Sequence, residues 1–352
     1  MFFYTSNGSS IAGLRLLSKF TRMFSSGRNS FKIKEMGVAE VQNALKQINP
    51  GKSTGWDGIP PKALKCGADQ LALPLTTLFN SCIRERKWPS DWKKGEWVPI
   101  HKKDDPLDKE NYRPVTIQIA LNKVFEKLLF QQVVDGTSDY LSEYLTAYRK
   151  LHGCATALMM LIENWRMALD NGELVGLLST DMSKAFDCLH HPLLLAKLRA
   201  YGLDESGVKL LQSYFEDRYN RVRIGDVVSS WKPVEKGCPQ GSSLGPLLWN
   251  LFQNDLTSFV DNKLCMYADD HQFYESGKDF SLVEAKLQGT AKAVTEWYDQ
   301  NGLKGNYTKY ASMIISRSGK GDMSINVKDF TIEPEHSISL LGVHIDSKLS
   351  FS

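Results

Sequence analysis

Apolar residues recur at helical spacing over 38–48, where Val38, Val41, Ala44, Leu45 and Ile48 share one face. Pro50 and Gly51 close that pattern. The rigid turn Trp56-Asp57-Gly58-Ile59-Pro60-Pro61 separates it from a second helix predicted over about 69–86. Residues 97–100 (Trp-Val-Pro-Ile) read as a short strand and 121–134 as a helix. From 173 onward the blocks change character. An apolar run over 174–179 ends in Thr180-Asp181, and helices are predicted near 192–201 and 206–217. Residues 221–224 and 227–234 flank Gly225-Asp226, a hairpin signal. A helix is predicted over 243–257, and short strands over 264–268 and 272–275 enclose Asp269-Asp270. A long amphipathic helix spans 280–300, with Val283, Leu287, Ala291, Val294 and Trp297 on one face and Gly302 at its end. Strands return at 311–316, 326–332 and 338–345. The uneven blocks, without internal repeats, predict an α+β fold over a regular βαβ array.

Composition narrows the class. At 42% hydrophobic and 24% charged, the 352 residues are those of a globular chain. No uninterrupted apolar stretch approaches the ~18 residues that span a bilayer, so no membrane partner is expected. A net charge of +3 does not single out nucleic acid. Its distribution is uneven, because Arg15, Lys19, Arg22, Arg28, Lys32 and Lys34 lie in a first stretch without acids. Residues 1–35 therefore read as a basic, disordered extension or as a mitochondrial presequence, which leaves nucleus, cytoplasm and mitochondrion open. The six cysteines form no C-x-x-C pair, which argues against a disulfide framework or a structural zinc. Segment 84–103 interleaves basic side chains with Trp88, Trp92 and Trp97. It reads either as a surface for a single-stranded backbone or as a solvated face whose tryptophans turn to the core. Gly51-Lys52-Ser53-Thr54 is no phosphate loop, since Lys46 stands where the motif needs glycine and a helix precedes it. His190 and His191 read as a helix start before Pro192.

The candidate chemistry lies in acids at strand ends. Asp181 follows an apolar strand, and Asp269 and Asp270 are placed at the tip of a tight hairpin. Turn chemistry alone accounts for an isolated Asp-Asp pair. Three carboxylates converging at one sheet edge would instead repel each other unless cations held them. Magnesium binds through one or two carboxylates plus substrate phosphates. Two such ions can clamp the attacking and leaving oxygens of a phosphoryl displacement.

The surrounding residues carry a resemblance. Tyr267-Ala268-Asp269-Asp270 resembles the Y-x-D-D box of reverse transcriptases, and Asp181-Met182-Ser183-Lys184-Ala185-Phe186-Asp187 resembles their first carboxylate motif. Residues 237–246 (Gly-Cys-Pro-Gln-Gly-Ser-Ser-Leu-Gly-Pro) resemble the P-Q-G motif, and Asn111-Tyr112-Arg113-Pro114-Val115 resembles the N-Y-R-P fingers motif. Asn301-Gly302-Leu303-Lys304, with Lys309, resembles the segment after the long palm helix. Leu340-Leu341-Gly342-Val343 resembles the primer-grip motif. The six occur in family order across about 36–346 and look most like the polymerases of non-LTR (LINE-type), jockey-like retrotransposons.

The resemblance implies a right-hand polymerase: a helical fingers segment over 36–94, fingers over about 95–172, and a palm over about 173–346 whose antiparallel sheet is backed by helices. The implied activity is RNA-directed DNA synthesis, with an RNA template, a DNA primer, deoxynucleoside triphosphates and two Mg2+ ions, Mn2+ able to substitute. It implies Asp181 and Asp269 as metal ligands, with Asp270 beside them and the Met182 carbonyl facing the metal. Phe186 is implied as the steric gate against a 2′-hydroxyl, and Gln240 and Gly241 as contacts of the incoming nucleotide. Arg113 and Lys102 (with His101 and Lys103 adjacent) are implied on the triphosphate. Lys309, with Lys304 as rival, is the implied proton donor to pyrophosphate. No obligate protein partner is called for. The chain stops at Ser352 just past the grip motif, so the thumb is expected to be missing, and 151–154 depart from the commoner Arg/Gly-rich version. A weakly active or inactive nucleic-acid-binding relic is the alternative expectation.

Overall fold

The computed structural model describes residues 30–102, 104–319 and 321–350. Most of the basic extension lies outside them, but the chain is already packed at Phe31, whose backbone bonds to Gly202 and Asp204.

The first pattern folds as α1 (Val38–Lys46), which buries Val41, Ala44 and Leu45. A short helix α2 (Pro61–Cys66), started by Pro61, precedes α3 (Ala68–Glu85). Strand β1 (Lys94–His101) is followed by β2 (Tyr112–Gln118) and α4 (Ala120–Thr137). Besides the short helix α2, two longer elements were not anticipated. Pro114 obscures β2, and α5 (Cys154–Asp170) has apolar residues around its whole circumference, with Met159 and Met167 exposed. Next come β3 (Leu174–Thr180), α6 (Ala185–Cys188), α7 (His191–Ala200) and α8 (Glu205–Phe215). Strands β4 (Arg218–Ile224), β5 (Val227–Val228) and β6 (Lys232–Val234) contain the predicted hairpin, and α9 (Gly245–Gln253) follows. The remainder is β7 (Lys263–Tyr267), β8 (Asp270–Gly277), α10 (Phe280–Gln300) and β9 (Ala311–Ile315). The last two predicted strands are each hairpins: β10 (Ile325–Val327) with β11 (Phe330–Ile332), and β12 (Ser337–Leu340) with β13 (Val343–Asp346).

The chain divides into two units, each made of separate segments. Residues 141–185 and 252–350 form one. Its sheet has the order β7-β8-β3-β9, antiparallel throughout. Because successive side chains alternate faces, Val175 and Leu177 pack with Leu161 and Trp165 of α5, while Gly176 faces Val283 and Leu287 of α10. The sheet is thus covered by a helix on each face rather than backed on one.

Residues 30–140 and 186–251 form the other unit. There β1 pairs antiparallel with β2 and parallel with β4, which also carries β5 and β6. Its core is aromatic: Phe79 stacks on Phe125 at 4.9 Å, and Trp88 lies 4.7 Å from both Phe125 and Tyr214. Trp92 packs on Phe79 and Phe125 as well. The buried Trp88 and Trp92 are therefore core residues, and the reading of 84–103 as a stacking surface for a single strand does not hold for them. Truncating such a side chain typically costs ~3–5 kcal/mol. His190 occupies the N-cap position of α7 without a side-chain cap bond, which places the pair at a helix start, and the His191 ring stacks on Phe215.

Candidate active site

Backbone register brings the acids together. Thr180 pairs with His271, so the next position sets Asp181 against Asp270. Tyr267 pairs with Asp270, which makes Ala268 and Asp269 the two residues of the turn. Asp270 is therefore the first residue of β8, not part of the hairpin tip. Ala268 has φ 56°, a left-handed conformation uncommon for a residue with a Cβ.

Segment 304–309 runs beside Asp181. Met182 bridges to Gly305, and the Ser183 N–H donates to the Lys304 carbonyl at 2.9 Å. Asn306 holds Asp181 twice: its backbone N–H donates to the Asp181 carbonyl (2.9 Å) and Nδ2 donates to Oδ2 (3.1 Å). Lys309 Nζ lies 3.4 Å from the same Oδ2. The Asp270 carboxyl is pushed up to about 6, first by burial and then by the charges of Asp269 and Asp181, with Lys309 opposing. One field thus couples all four side chains.

Below the acids lies a buried polar chain. Thr180 Oγ1 meets Tyr298 OH at 2.9 Å, Tyr298 OH meets His271 Nδ1 at 3.0 Å, and His271 Nε2 meets Gln253 Oε1 at 2.9 Å. Because Gln253 presents an oxygen, Nε2 carries the proton, Nδ1 accepts from Tyr298, and Tyr298 accepts from Thr180. Burial pushes the His271 imidazole down to about 3, so it stays neutral. Asn306, His271, Tyr298 and Gln253 were not singled out by motif reading. A histidine directly after Asp-Asp was the one visible signal.

The other unit positions the remaining candidates. Phe186 is half-buried, with its ring 5.2 Å from Trp249. The Cys238 N–H donates to the Phe186 carbonyl at 2.9 Å, and Gly237 (φ 83°) comes so close that a Cβ would stand 2.7 Å from that oxygen. Gln240 Nε2 donates to Asp187 Oδ1 at 2.9 Å, while its carbonyl accepts from Thr116 N–H at 2.8 Å. Gly241 has φ 107°, and a Cβ there would lie 3.1 Å from the Thr116 carbonyl, so the loop lies tight on β2. Arg113 is exposed on β2, opposite Ile100. Lys102 is exposed too, its N–H donating to the Asn111 carbonyl. Lys103 lies outside the described residues.

A family model described as reverse transcriptase (RNA-dependent DNA polymerase) matches residues 100–345. The chain belongs to the reverse transcriptase family. It is similar to the RNA-directed DNA polymerase from mobile element jockey of Drosophila melanogaster, 25% identical over 334 residues that cover 92% of this chain and 36% of the relative. The Drosophila funebris protein of the same description is 28% identical over 327 residues, covering 89% and 35%. The probable RNA-directed DNA polymerase from transposon X-element of Drosophila melanogaster is 28% identical over 322 residues, again covering 89% and 35%. The resemblance to non-LTR elements thus agrees with curated relatives, of whose length this chain spans about a third.

Reverse transcriptases use divalent metal ions, and the donors here suit them. The charges of Asp269 and Asp181 add to burial in raising the proton affinity of Asp270, which a dication would relieve. Among the described residues no three His, Cys, Asp or Glu side chains form a ready-made metal cage. No helix among the described residues is long and apolar enough to cross a membrane.

Proposed function

We propose that this reverse transcriptase family member catalyses RNA-templated DNA synthesis, joining deoxynucleotides to a primer 3′-hydroxyl. The observation that carries the reading is the shared field of Asp181, Asp269, Asp270 and Lys309 at one sheet edge. In this reading Asp181 and Asp269 hold two Mg2+ ions (or Mn2+) with the Met182 carbonyl, and Asp270 adjusts their charge. The ions supply charge neutralisation of the phosphates and of the attacking oxygen. Lys309, drawn to Asp181, delivers a proton to the leaving pyrophosphate. Lys304 is the weaker candidate, because its main-chain carbonyl rather than its side chain meets the first motif. Phe186 stands under the sugar and excludes a 2′-hydroxyl. Gln240 and Gly241 face the incoming nucleotide, with Arg113 and Lys102 on its triphosphate. Residues 95–172 act as fingers and 173–346 as palm.

The test is primer extension on an RNA template with Mg2+ or Mn2+. Asp269→Ala should abolish incorporation while binding of an RNA–DNA hybrid survives. That binding should weaken steeply with salt, because phosphate contacts release counterions. No incorporation by the unaltered chain with manganese and excess template, with hybrid binding retained, would favour a non-catalytic nucleic-acid binder.

A further inference from the structure

The loop carrying Gln240 ends on a buried acid that no motif contains. Glu126 lies on α4 with no exposed surface. Its Oε1 accepts from Gln118 Nε2 (3.0 Å), Asn122 Nδ2 (2.8 Å) and Tyr214 OH (3.1 Å). Its Oε2 accepts from the backbone N–H of Ser243 (2.6 Å), with that of Leu244 at 3.5 Å. All five donors are neutral, so the acid is kept inside without an ion pair to one of them, against a desolvation penalty.

The donors dictate what can stand at 126. Trp88 Nε1–H can only donate, and it donates to Asn122 Oδ1 at 2.8 Å. This turns Asn122 Nδ2 towards Glu126, so residue 126 must present an acceptor there. On its other side it meets main-chain N–H groups, which again can only donate. A carboxylate accepts at both ends, whereas an amide accepts at one and opposes a donor at the other.

At the far end of this network is the nucleotide-facing loop. Residues 239–244 are tied to β2 through Thr116 and the Gln240 carbonyl, and to the start of α9 through Ser242 Oγ, which accepts from Gly245 N–H at 2.7 Å. The Gln240 side chain itself donates to Asp187 Oδ1, and Glu126 supplies a further tie at Ser243 and Leu244, three and four residues beyond Gln240. We propose that Glu126 is a positioning residue, which fixes the backbone of 239–244 and thereby holds Gln240 for the incoming nucleotide. The proposal rests on the reading of Gln240 given above, and its chemistry is that of a buried anion clamping main-chain N–H groups, as at an N-cap.

The experiment compares the full chain with Glu126→Gln and Glu126→Asp by amide hydrogen exchange and by single-nucleotide incorporation on an RNA template. Faster exchange confined to 239–246 is expected, with KM for the deoxynucleotide raised about tenfold (~1.4 kcal/mol) and kcat reduced less. In the double variant Glu126→Gln/Gln240→Ala, KM should be no higher than in Gln240→Ala alone, because the acid acts through Gln240. Unchanged exchange at 239–246, an unchanged KM, or additive effects of the two substitutions would overturn the proposal. Glu126→Asp keeps the charge but draws it back, so it reports on the tie if the glutamine variant does not fold. If the unaltered chain incorporates nothing, the polymerase reading fails, and the exchange measurement still decides whether Glu126 holds the loop.

Discussion

Replacing Gly176 by alanine perturbs the strand that delivers Asp181. A Cβ at this position would lie 2.6 Å from Leu287 Cδ1 and 2.7 Å from Val283 Cγ1. Carbon atoms pack comfortably at ~3.5–4.0 Å, so two methyl groups must retreat by about 1 Å. Overpacking of this kind costs ~1–3 kcal/mol. Removing a strand glycine returns ~0.5–1 kcal/mol of chain entropy. The net destabilisation is therefore about 0.5–2 kcal/mol, a fall in Tm of about 1–3 °C for a chain of 352 residues. Leu287 can change rotamer, but Val283 is β-branched and stiff on a helix, so it carries most of the conflict. A thermal-melting cycle with Val283→Ala checks this: the cost of Gly176→Ala should shrink by about 1 kcal/mol in that background. Displacing reacting groups by ~1 Å can cost about 100-fold in rate, so incorporation should also slow when β3 moves. An equal cost of Gly176→Ala with and without the Val283 methyls would refute the reasoning.

Three further outcomes follow from the site. Phe186→Ala should admit ribonucleotides in a primer-extension competition, and unchanged sugar discrimination in an active protein would remove the gate. Asp270, with a folded value of about 6 above its ordinary 3.8, binds its proton more tightly when folded. Its contribution therefore favours the metal-free fold as pH falls from about 6 towards 4, and is an unfavourable constant above about 6. Metal must displace that proton, so the Mn2+-induced rise in Tm should weaken as pH drops below about 6; a pH-independent rise would contradict this. Lys309→Ala should lower kcat at least tenfold, about 1.4 kcal/mol of barrier, and Lys304→Ala should not; the reverse order would exchange their roles.

Much of this was legible because chemistry and periodicity coincide. An apolar run that stops at Asp181, and a strand–turn–strand around Asp269, announce both their element and their acid. The long face of α10, from Val283 to Trp297, was visible because its apolar stripe is narrow and unbroken. Helix α5 was not, since a continuous Leu-Met-Met-Leu-Ile stretch has no stripe to read. Glu126 and Asn306 were invisible for a different reason. A glutamate beside Lys127 on a helix looks solvated, and only the fold reveals that its neighbours are donors without other acceptors. Nor does linear order disclose that residues 141–185 and 252–350 belong to one unit.

The central place of β3 in its sheet has a consequence during synthesis. Thr180 leaves the ribosome 91 residues before His271, its partner across β8. At ~5–20 residues per second the nascent strand waits about 5–20 s with both edges open. Its other neighbour, β9, is made later still. For that interval Val175, Leu177 and Leu178 form an unpaired apolar template of the kind that captures other chains. Hence yield of soluble protein depends on what shields this strand in the growing chain, and Asp181 is synthesised early but fixed in place late.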